Sequence, residues 1–313
     1  MQNLNPIISF VSPVYKAEKI LDKLVDEIQK TMLVLDQPYE IILIDDRSPD
    51  KSWDVMKVIS CKFPEVKSVR LSRNFGQHPA IMAGLTLAKG EWIVVLDCDL
   101  QDQPKEVLKL YNKAQEGFDV VLAKRRNRQD SFFKKMNSKL FSVIYSYLTE
   151  TKFDSTIANF GIYNKKVIVE IVKMNDYIKS FPLFVSWVGY NTTSIEVEHA
   201  KRQEGSSSYS LSKLISLAFN TIISFSNKPL KLFVKFGLVV SIISFIVGLL
   251  TIYRYLKGEI LVLGYSSLMV SIWFLSGVII TTTGLVGIYI GKIFDQSKGR
   301  KAYIIDKNTN YDI

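Results

Sequence analysis

The chain has 313 residues, with 40 Lys+Arg against 30 Asp+Glu for a formal net charge of +10. Hydrophobic residues make up 48%, charged residues 22%, and the mean hydropathy is +0.13. That balance excludes bulk disorder and leaves either a dry soluble enzyme or a polar domain joined to an apolar one.

In chain order, residues 7–11 form a short apolar strand stopped by Pro13. Residues 17–35 carry Ile20, Leu21, Leu24, Val25, Ile28 and Met32 at helical spacing. Residues 39–44 read as a buried strand, ended by the turn sequence Asp45-Asp46-Arg47-Ser48-Pro49-Asp50. Helices over 52–63, 79–88 and 104–116 then alternate with strands over 66–71, 92–96 and 120–123; the last helix has Pro104 in its first turn. Repeated βα units predict an α/β fold with a mostly parallel sheet and helices on both faces. In such sheets ligands bind beyond the carboxyl ends of the strands. The polar clusters fall at those ends: Pro13-Val14-Tyr15, Asp45-Asp46, Ser72-Arg73-Asn74 and Asp97-Cys98-Asp99. No Gly-x-Gly-x-x-Gly follows the first strand and no Gly-x-x-x-x-Gly-Lys-Ser/Thr occurs, which disfavours a Rossmann dinucleotide site and a P-loop.

The apolar excess lies near the C-terminus. Residues 236–253 and 260–291 contain no Asp, Glu, Lys, Arg or His. The first run, as a helix, spans ~27 Å, enough to cross a ~30 Å hydrocarbon core. The second is longer than one span needs, so Gly258 and Gly264 are expected to mark a turn. The predicted division is a catalytic domain over 1–204, interfacial helices over 205–231, transmembrane helices over 232–256 and 265–291, and a tail over 292–313. Lys228, Lys231 and Lys235 precede the hairpin and Lys292, Lys298, Arg300 and Lys301 follow it, against Arg254 and Lys257 in the loop. This excess predicts a multi-pass protein of the inner (plasma) membrane with its large domain cytoplasmic. Leu211, Leu214, Ile215, Leu217, Ile222 and Phe225 make an apolar face suited to lying on an anionic leaflet. Ser276, Gly277, Gly284, Gly287 and Gly291 would let the second span pack closely on a neighbour, with Thr281, Thr282 and Thr283 hydrogen-bonding across the contact. A homo-oligomer is one expectation of that stripe. Cys61 and Cys98 read as reduced thiols, and neither His78 nor His199 stands in zinc-type spacing.

Asp97 and Asp99 follow an apolar strand directly, with Asp102 three residues on. Carboxylates at i and i+2 beside a strand end can share Mg²⁺ or Mn²⁺, which takes its remaining ligands from water and phosphate. Such a metal neutralises charge building on a leaving diphosphate. An Asp-x-Asp triplet alone is weak evidence; placed in register with Asp45-Asp46 it gains weight.

These motifs resemble family 2 glycosyltransferases. The likeness rests on Pro13-Val14-Tyr15, the run from Ile41 to Asp50, Ser72-Arg73-Asn74-Phe75-Gly76 and Asp97-Cys98-Asp99-Leu100-Gln101-Asp102. It continues through Trp187-Val188-Gly189-Tyr190, residues 202–209, Phe225-Ser226-Asn227-Lys228-Pro229-Leu230, Gly287-Ile288-Tyr289-Ile290-Gly291 and Tyr303-Ile304-Ile305. More narrowly, the chain is similar to the polyisoprenyl-phosphate glycosyltransferases. The resemblance implies a GT-A fold and inverting transfer from a nucleotide-sugar to a lipid phosphate such as undecaprenyl phosphate. By that analogy Pro13, Tyr15 and Asp46 hold the base and ribose, with Asp45 beside them. Asp97 and Asp99 approach the metal-bound diphosphate and Gln101 lies near it. Arg73 and Arg125 are cations near the diphosphate and acceptor phosphate, and Arg202 is a further cation for the lipid phosphate.

Two positions depart from the resemblance. Asn159 stands where relatives commonly have Asp, and Asn cannot take a proton; Asp154 is nearby in sequence. The usual Gly-Glu-Ser-Lys-Tyr-Ser becomes Gly205-Ser206-Ser207-Ser208-Tyr209-Ser210, which loses a Lys. A processive polysaccharide synthase would need a Gln-x-x-Arg-Trp motif and more spans. The remaining rival is a catalytically impaired membrane scaffold or nucleotide-binding protein. The net positive charge is assigned to membrane flanks and two phosphorylated substrates, so nucleic acid is not expected as a partner.

Overall fold

The structure is a computed structural model of the full chain, and it describes residues 6–125, 157–174, 176, 180–198, 226, 228–258 and 264–310. The described residues fall into two compact units, one built from 6–198 and 300–310, the other from 226–299.

The first unit is an eight-stranded sheet in the order β7-β5-β6-β4-β1-β2-β3-β8. Its strands are β1 (Ile8–Val14), β2 (Tyr39–Asp45), β3 (Val66–Leu71), β4 (Trp92–Val95), β5 (Val120–Arg125), β6 (Ile157–Asn164), β7 (Thr192–Val197) and β8 (Ile305–Thr309). Pairings β1–β2, β1–β4, β2–β3 and β5–β7 are parallel, while β6 pairs antiparallel with both β4 and β5, and β8 antiparallel with β3. Six strands therefore point one way, and β6 and β8 run against them. β1 and β4 are buried at every residue, as near-continuous apolar strands covered on both faces must be.

Helix α1 (Leu21–Leu35) buries Leu21, Leu24, Val25, Ile28 and Met32. With α2 (Ser52–Lys62) and α4 (Val107–Ala114, after a single 3-10 turn at Pro104–Glu106) it packs into one core with Ile8, Phe10, Val14, Ile41, Leu43 and Val94. The opposite face carries α3 (Gln77–Leu87), with α5 (Lys165–Lys173) and α6 (Phe181–Val188) packed beside it. α1 starts four residues later than its apolar spacing predicts. The Ala17 amide donates to Ser52 Oγ (2.9 Å) and the Glu18 amide to Asp50 Oδ2 (3.3 Å), so the start of α2 and the loop before it hold these residues outside the helix.

The second unit contains α7 (Lys228–Leu256) and α8 (Tyr265–Ser297). Tyr289 Oη donates to the Ser226 carbonyl at 2.8 Å, which joins the residues before α7 to the last turns of α8 and makes the pair a hairpin. The Thr281 and Thr282 hydroxyls donate to the Gly277 and Val278 carbonyls of their own helix, each at 2.8 Å. The carbonyl one turn back is the nearest acceptor for a hydroxyl on an apolar helix. A Cβ added at Gly277, Gly284, Gly287 or Gly291 would meet no atom within 4 Å, so none of these glycines serves a close contact within the described chain.

Past α8 the chain returns to the first unit as β8. The Asn310 side chain fastens its far end, donating to the Ser60 (2.7 Å) and Val66 (3.2 Å) carbonyls.

α3 lies close on the sheet at Gly84, where a Cβ would lie 2.4 Å from Val11 Cγ1 and 3.3 Å from Ile44 Cγ1. Gly84→Ala would gain ~1 kcal/mol of helix propensity. Overpacking against a β-branched residue fixed in the central strand costs ~1–3 kcal/mol and should win. Thermal unfolding of the full chain in detergent should therefore show a lower Tm for Gly84→Ala; an equal or higher Tm would contradict this packing.

Candidate active site

The carboxyl ends of β1, β2, β3, β4 and β5 share one edge of the sheet, because these strands are parallel in direction. β1 is the strand from which the order runs outward both ways, to β2 and to β4. Its ladder with β4 ends at Val11↔Val95, where the Leu96 amide donates to the Val11 carbonyl at 3.1 Å. Its ladder with β2 continues to Val14↔Asp45. Beyond Val11 that ladder stops, at the topological switch point; the place between the two strand ends, where open α/β sheets bind ligands, is the candidate crevice. Pro13 sits in the parted segment, so its missing N–H removes no bond to β4.

One lip of the crevice is the segment after β4. Asp97, Cys98 and Asp99 are half-buried there. Asp97 Oδ1 accepts from Gln77 Nε2 at 2.6 Å, and Asp99 Oδ1 accepts from the Gln101 amide at 3.1 Å. Leu100 takes a left-handed φ of 55° and inserts its side chain into the core, which anchors the loop while the carboxylates stay at the surface. Burial pushes the Cys98 thiol up to about 12, and the neighbouring Asp97 and Asp99 carboxylates act in the same direction against a hydrogen bond from the Tyr15 backbone. The thiol stays neutral, so the carboxylates alone carry the charge of the triplet. Among the described residues no three His, Cys, Asp or Glu side chains form a closed metal cage. Two carboxylates fit a hard cation that draws its other ligands from water and phosphate.

The other lip comes from the loops after β1, β2 and β3, which are tied together. Tyr15 is 48% exposed, with Lys16 Nζ 5.5 Å from its ring centroid. The Lys16 amide donates to Ser48 Oγ (3.2 Å), and the Ser48 amide to Asp45 Oδ1 (2.8 Å). Asp45, expected beside the nucleotide, has no exposed surface. Arg70 Nε lies 3.0 Å from its Oδ2 as an ion pair without an aligned hydrogen bond. Asp45 therefore supports the turn from beneath. It ends β2 facing inward, and adjacent strand positions point to opposite sides.

Asp46 is 3% exposed, and its carboxylate takes the amides of Phe75 (2.7 Å, to Oδ1) and Gly76 (2.9 Å, to Oδ2). Burial raises its pKa, with these two amides opposing the shift and the Asp45 charge adding to it. Gly76 has φ +100°, a conformation L side chains rarely adopt, which turns its amide inward. Arg73 is exposed on the same loop, its guanidinium stacked 4.4 Å from the Phe75 ring centroid. His78, on the first turn of α3, is pushed down to about 4 by burial and adds no positive charge at neutral pH.

Arg125 is the last residue of β5 and so stands at this edge. Asn159, half-buried on β6 between β4 and β5, lies toward the same edge. Arg202, Asp154 and His199 lie outside the described residues. The sequence reading missed Gln77, whose bond to Asp97 joins α3 to the carboxylate loop. Its one signal was its position directly after the Ser72–Gly76 motif.

A family model described as glycosyl transferase family 2 matches residues 9–171. The uncharacterized glycosyltransferase YkcC of Bacillus subtilis (strain 168) is 34% identical over 301 residues, covering 96% of this chain and 93% of the relative. The undecaprenyl-phosphate 4-deoxy-4-formamido-L-arabinose transferase of Proteus mirabilis (strain HI4320) is 34% identical over 303 residues, again covering 96% and 93%. Among solved structures, S. aureus TarS 1–349 in complex with UDP-GlcNAc aligns with a TM-score of 0.47 at 21% identity, covering 69% of this chain and 65% of that one. The chain is a glycosyltransferase of GT-A fold that belongs to glycosyl transferase family 2, within its polyprenyl-phosphate glycosyltransferase group.

Proposed function

We propose that this glycosyltransferase moves one sugar from a nucleoside-diphosphate sugar, a UDP-sugar in our reading, to undecaprenyl phosphate, with inversion at the sugar C1. The product would serve cell-envelope glycan synthesis or modification. The observation that carries the proposal is the end of the β1–β4 ladder at Val11↔Val95, with Asp97 and Asp99 following β4 and the exposed Tyr15 following β1. Relatives matched over nearly their whole length are named undecaprenyl-phosphate sugar transferases, which supports the acceptor.

In this reading the base and ribose rest against the exposed Tyr15 ring, in a pocket whose wall is built by Pro13 and Asp46. The diphosphate faces Asp97 and Asp99, near Gln101. Mg²⁺ or Mn²⁺ held by these two carboxylates would neutralise charge on the leaving diphosphate. Arg73, held on the Phe75 ring, offers a fixed positive charge to the same phosphates. Arg125 and Arg202 are assigned to the lipid phosphate. That acceptor is already an anion near neutral pH, so it needs alignment behind C1 more than deprotonation. Asn159 in place of a carboxylate is compatible with such chemistry.

The proposed division keeps a catalytic domain over 1–204, interfacial helices over 205–231, spans over 232–256 and 265–291, and a tail over 292–313 whose later part contributes β8. Helices long and apolar enough to cross a bilayer include windows at Lys228–Val247 and Ser271–Ser297, with mean hydropathies of 2.2 and 1.7 and no burial. Strands before α7 and after α8 belong to one sheet. A sheet built from both segments supports an even number of crossings, as the proposed two spans would give. The basic flanks favour the cytoplasmic side.

Purified full-length protein with Mg²⁺ or Mn²⁺, undecaprenyl phosphate and a panel of NDP-sugars should yield a polyprenyl-phosphate sugar. Absence of product across the panel, with folding verified by circular dichroism, would favour a scaffold. Asp99→Asn should lower kcat by on the order of 10²–10³, the scale of losing one preorganised electrostatic group. Chelation by EDTA should do likewise and be reversed by added metal. Wild-type turnover in the variant, or full activity in EDTA, would remove the metal role.

A further inference from the structure

The segment just beyond α8 is fastened to the loops that form the Tyr15 lip. The Ser72 amide donates to the Ile304 carbonyl at 2.9 Å, which ties down the start of the loop carrying Arg73, Phe75 and Gly76. Tyr303 Oη donates to Thr86 Oγ1 on α3 at 3.0 Å. Arg47 Nη1 lies 2.8 Å from Asp306 Oδ2, which reaches the turn after β2.

The bond to Arg47 depends on an irregularity in β8. Arg70 pairs with Lys307 but Leu71 pairs with Ile305, so β3 advances one residue while β8 advances two. Asp306 is the extra residue. A bulge leaves its extra residue out of the ladder and re-aims its side chain. Arg47 itself has φ +57°, a left-handed conformation that costs a branched or long side chain energy unless its surroundings hold it. It sits between Asp46, which clamps the Phe75 and Gly76 amides, and Ser48, which holds the Lys16 amide. Asp46 thus bolts the two loops together from inside, and residues 304 and 306 brace the same two loops from outside.

We infer that Asp306 is a positioning residue for donor binding: through Arg47 it holds the turn 45–48, and with it Tyr15 and Asp46, in the geometry that receives the nucleoside diphosphate. The inference rests on the reading of the β1–β4 crevice as the donor site. Since Asp306 touches neither reacting phosphate nor sugar, its loss should weaken nucleotide capture and leave the chemical step alone. Both side chains are substantially solvent-exposed, so the pair contributes through geometry more than through fold stability.

The test uses the full-length protein in detergent, with UDP and GDP as probes in titration calorimetry, followed by steady-state turnover on the active sugar donor. Asp306→Asn and Arg47→Gln should each raise the nucleotide Kd and the donor KM about three- to fivefold, the reach of an exposed ion pair. Turnover at saturating donor should stay within about twofold. The double variant should be no worse than the worse single one, as expected for two residues acting as one unit. The exchanged pair Arg47→Asp with Asp306→Arg should recover part of the affinity. Unchanged Kd in both single variants, or losses that add in the double, would overturn the positioning role while leaving the donor site in place. A wild-type protein that binds neither UDP nor GDP would overturn both the inference and the donor-site reading.

Discussion

β1 and β4 are bonded as neighbours from Ile8 and Trp92 up to Val11 and Val95, and then they separate. β1 continues along β2 for three more residues, to Val14 opposite Asp45, whereas β4 gives way to a loop. A sheet whose order runs outward both ways from one strand must part at that strand, since connections leave toward opposite sides. The parting leaves backbone groups and polar side chains at the end of a fully buried layer, where a ligand can reach them. Pro13 is tolerated in a central strand for the same reason. The acidic triplet, the tyrosine and the cation-bearing loop are each placed by strands that flank this one opening.

What keeps the opening in shape is a set of short bonds between loops. Asp45 and Asp46 are adjacent, yet they do different work. Asp45 is sealed beneath the turn, closing it through Ser48 and facing Arg70, and Asp46 takes the amides of the next loop. On the other lip, Gln77 holds one Asp97 oxygen and the Gln101 amide one Asp99 oxygen, and burial keeps the thiol between them neutral. Each carboxylate is oriented before any ligand arrives. In the proposed mechanism, carboxylates oriented in this way would hold a divalent cation against the leaving diphosphate without rearranging.

Strands β1 to β5 and the helices between them were legible because buried parallel strands leave continuous apolar runs and their helices leave a 3.6-residue rhythm. β6 was not: Asn159 and Gly161 break its apolar pattern, and nothing local says that it enters the sheet between β4 and β5. β8 reads Ile-Asp-Lys-Asn-Thr, which carries no strand signal; its place is set by pairing with a distant edge. The site shows the same division. Residue types at strand ends pointed to Tyr15, Arg73, Asp97 and Asp99 as candidates, and the structure places all four at that end of the sheet. The burial of both Asp45 and Asp46, the bond from Gln77 and the brace from Asp306 depend on contacts between segments far apart in sequence, which composition and spacing do not encode.

The central claim is that the β1–β4 crevice receives a nucleoside diphosphate with a divalent cation at Asp97 and Asp99. Its most direct test is an experimental structure of the full chain with UDP and Mn²⁺, using the anomalous signal of manganese to locate the ion. The account predicts a manganese peak within coordination distance of Asp97 or Asp99, bridging to the diphosphate, with the base beside Tyr15. Nucleotide bound elsewhere, or manganese away from both carboxylates at full nucleotide occupancy, would contradict it.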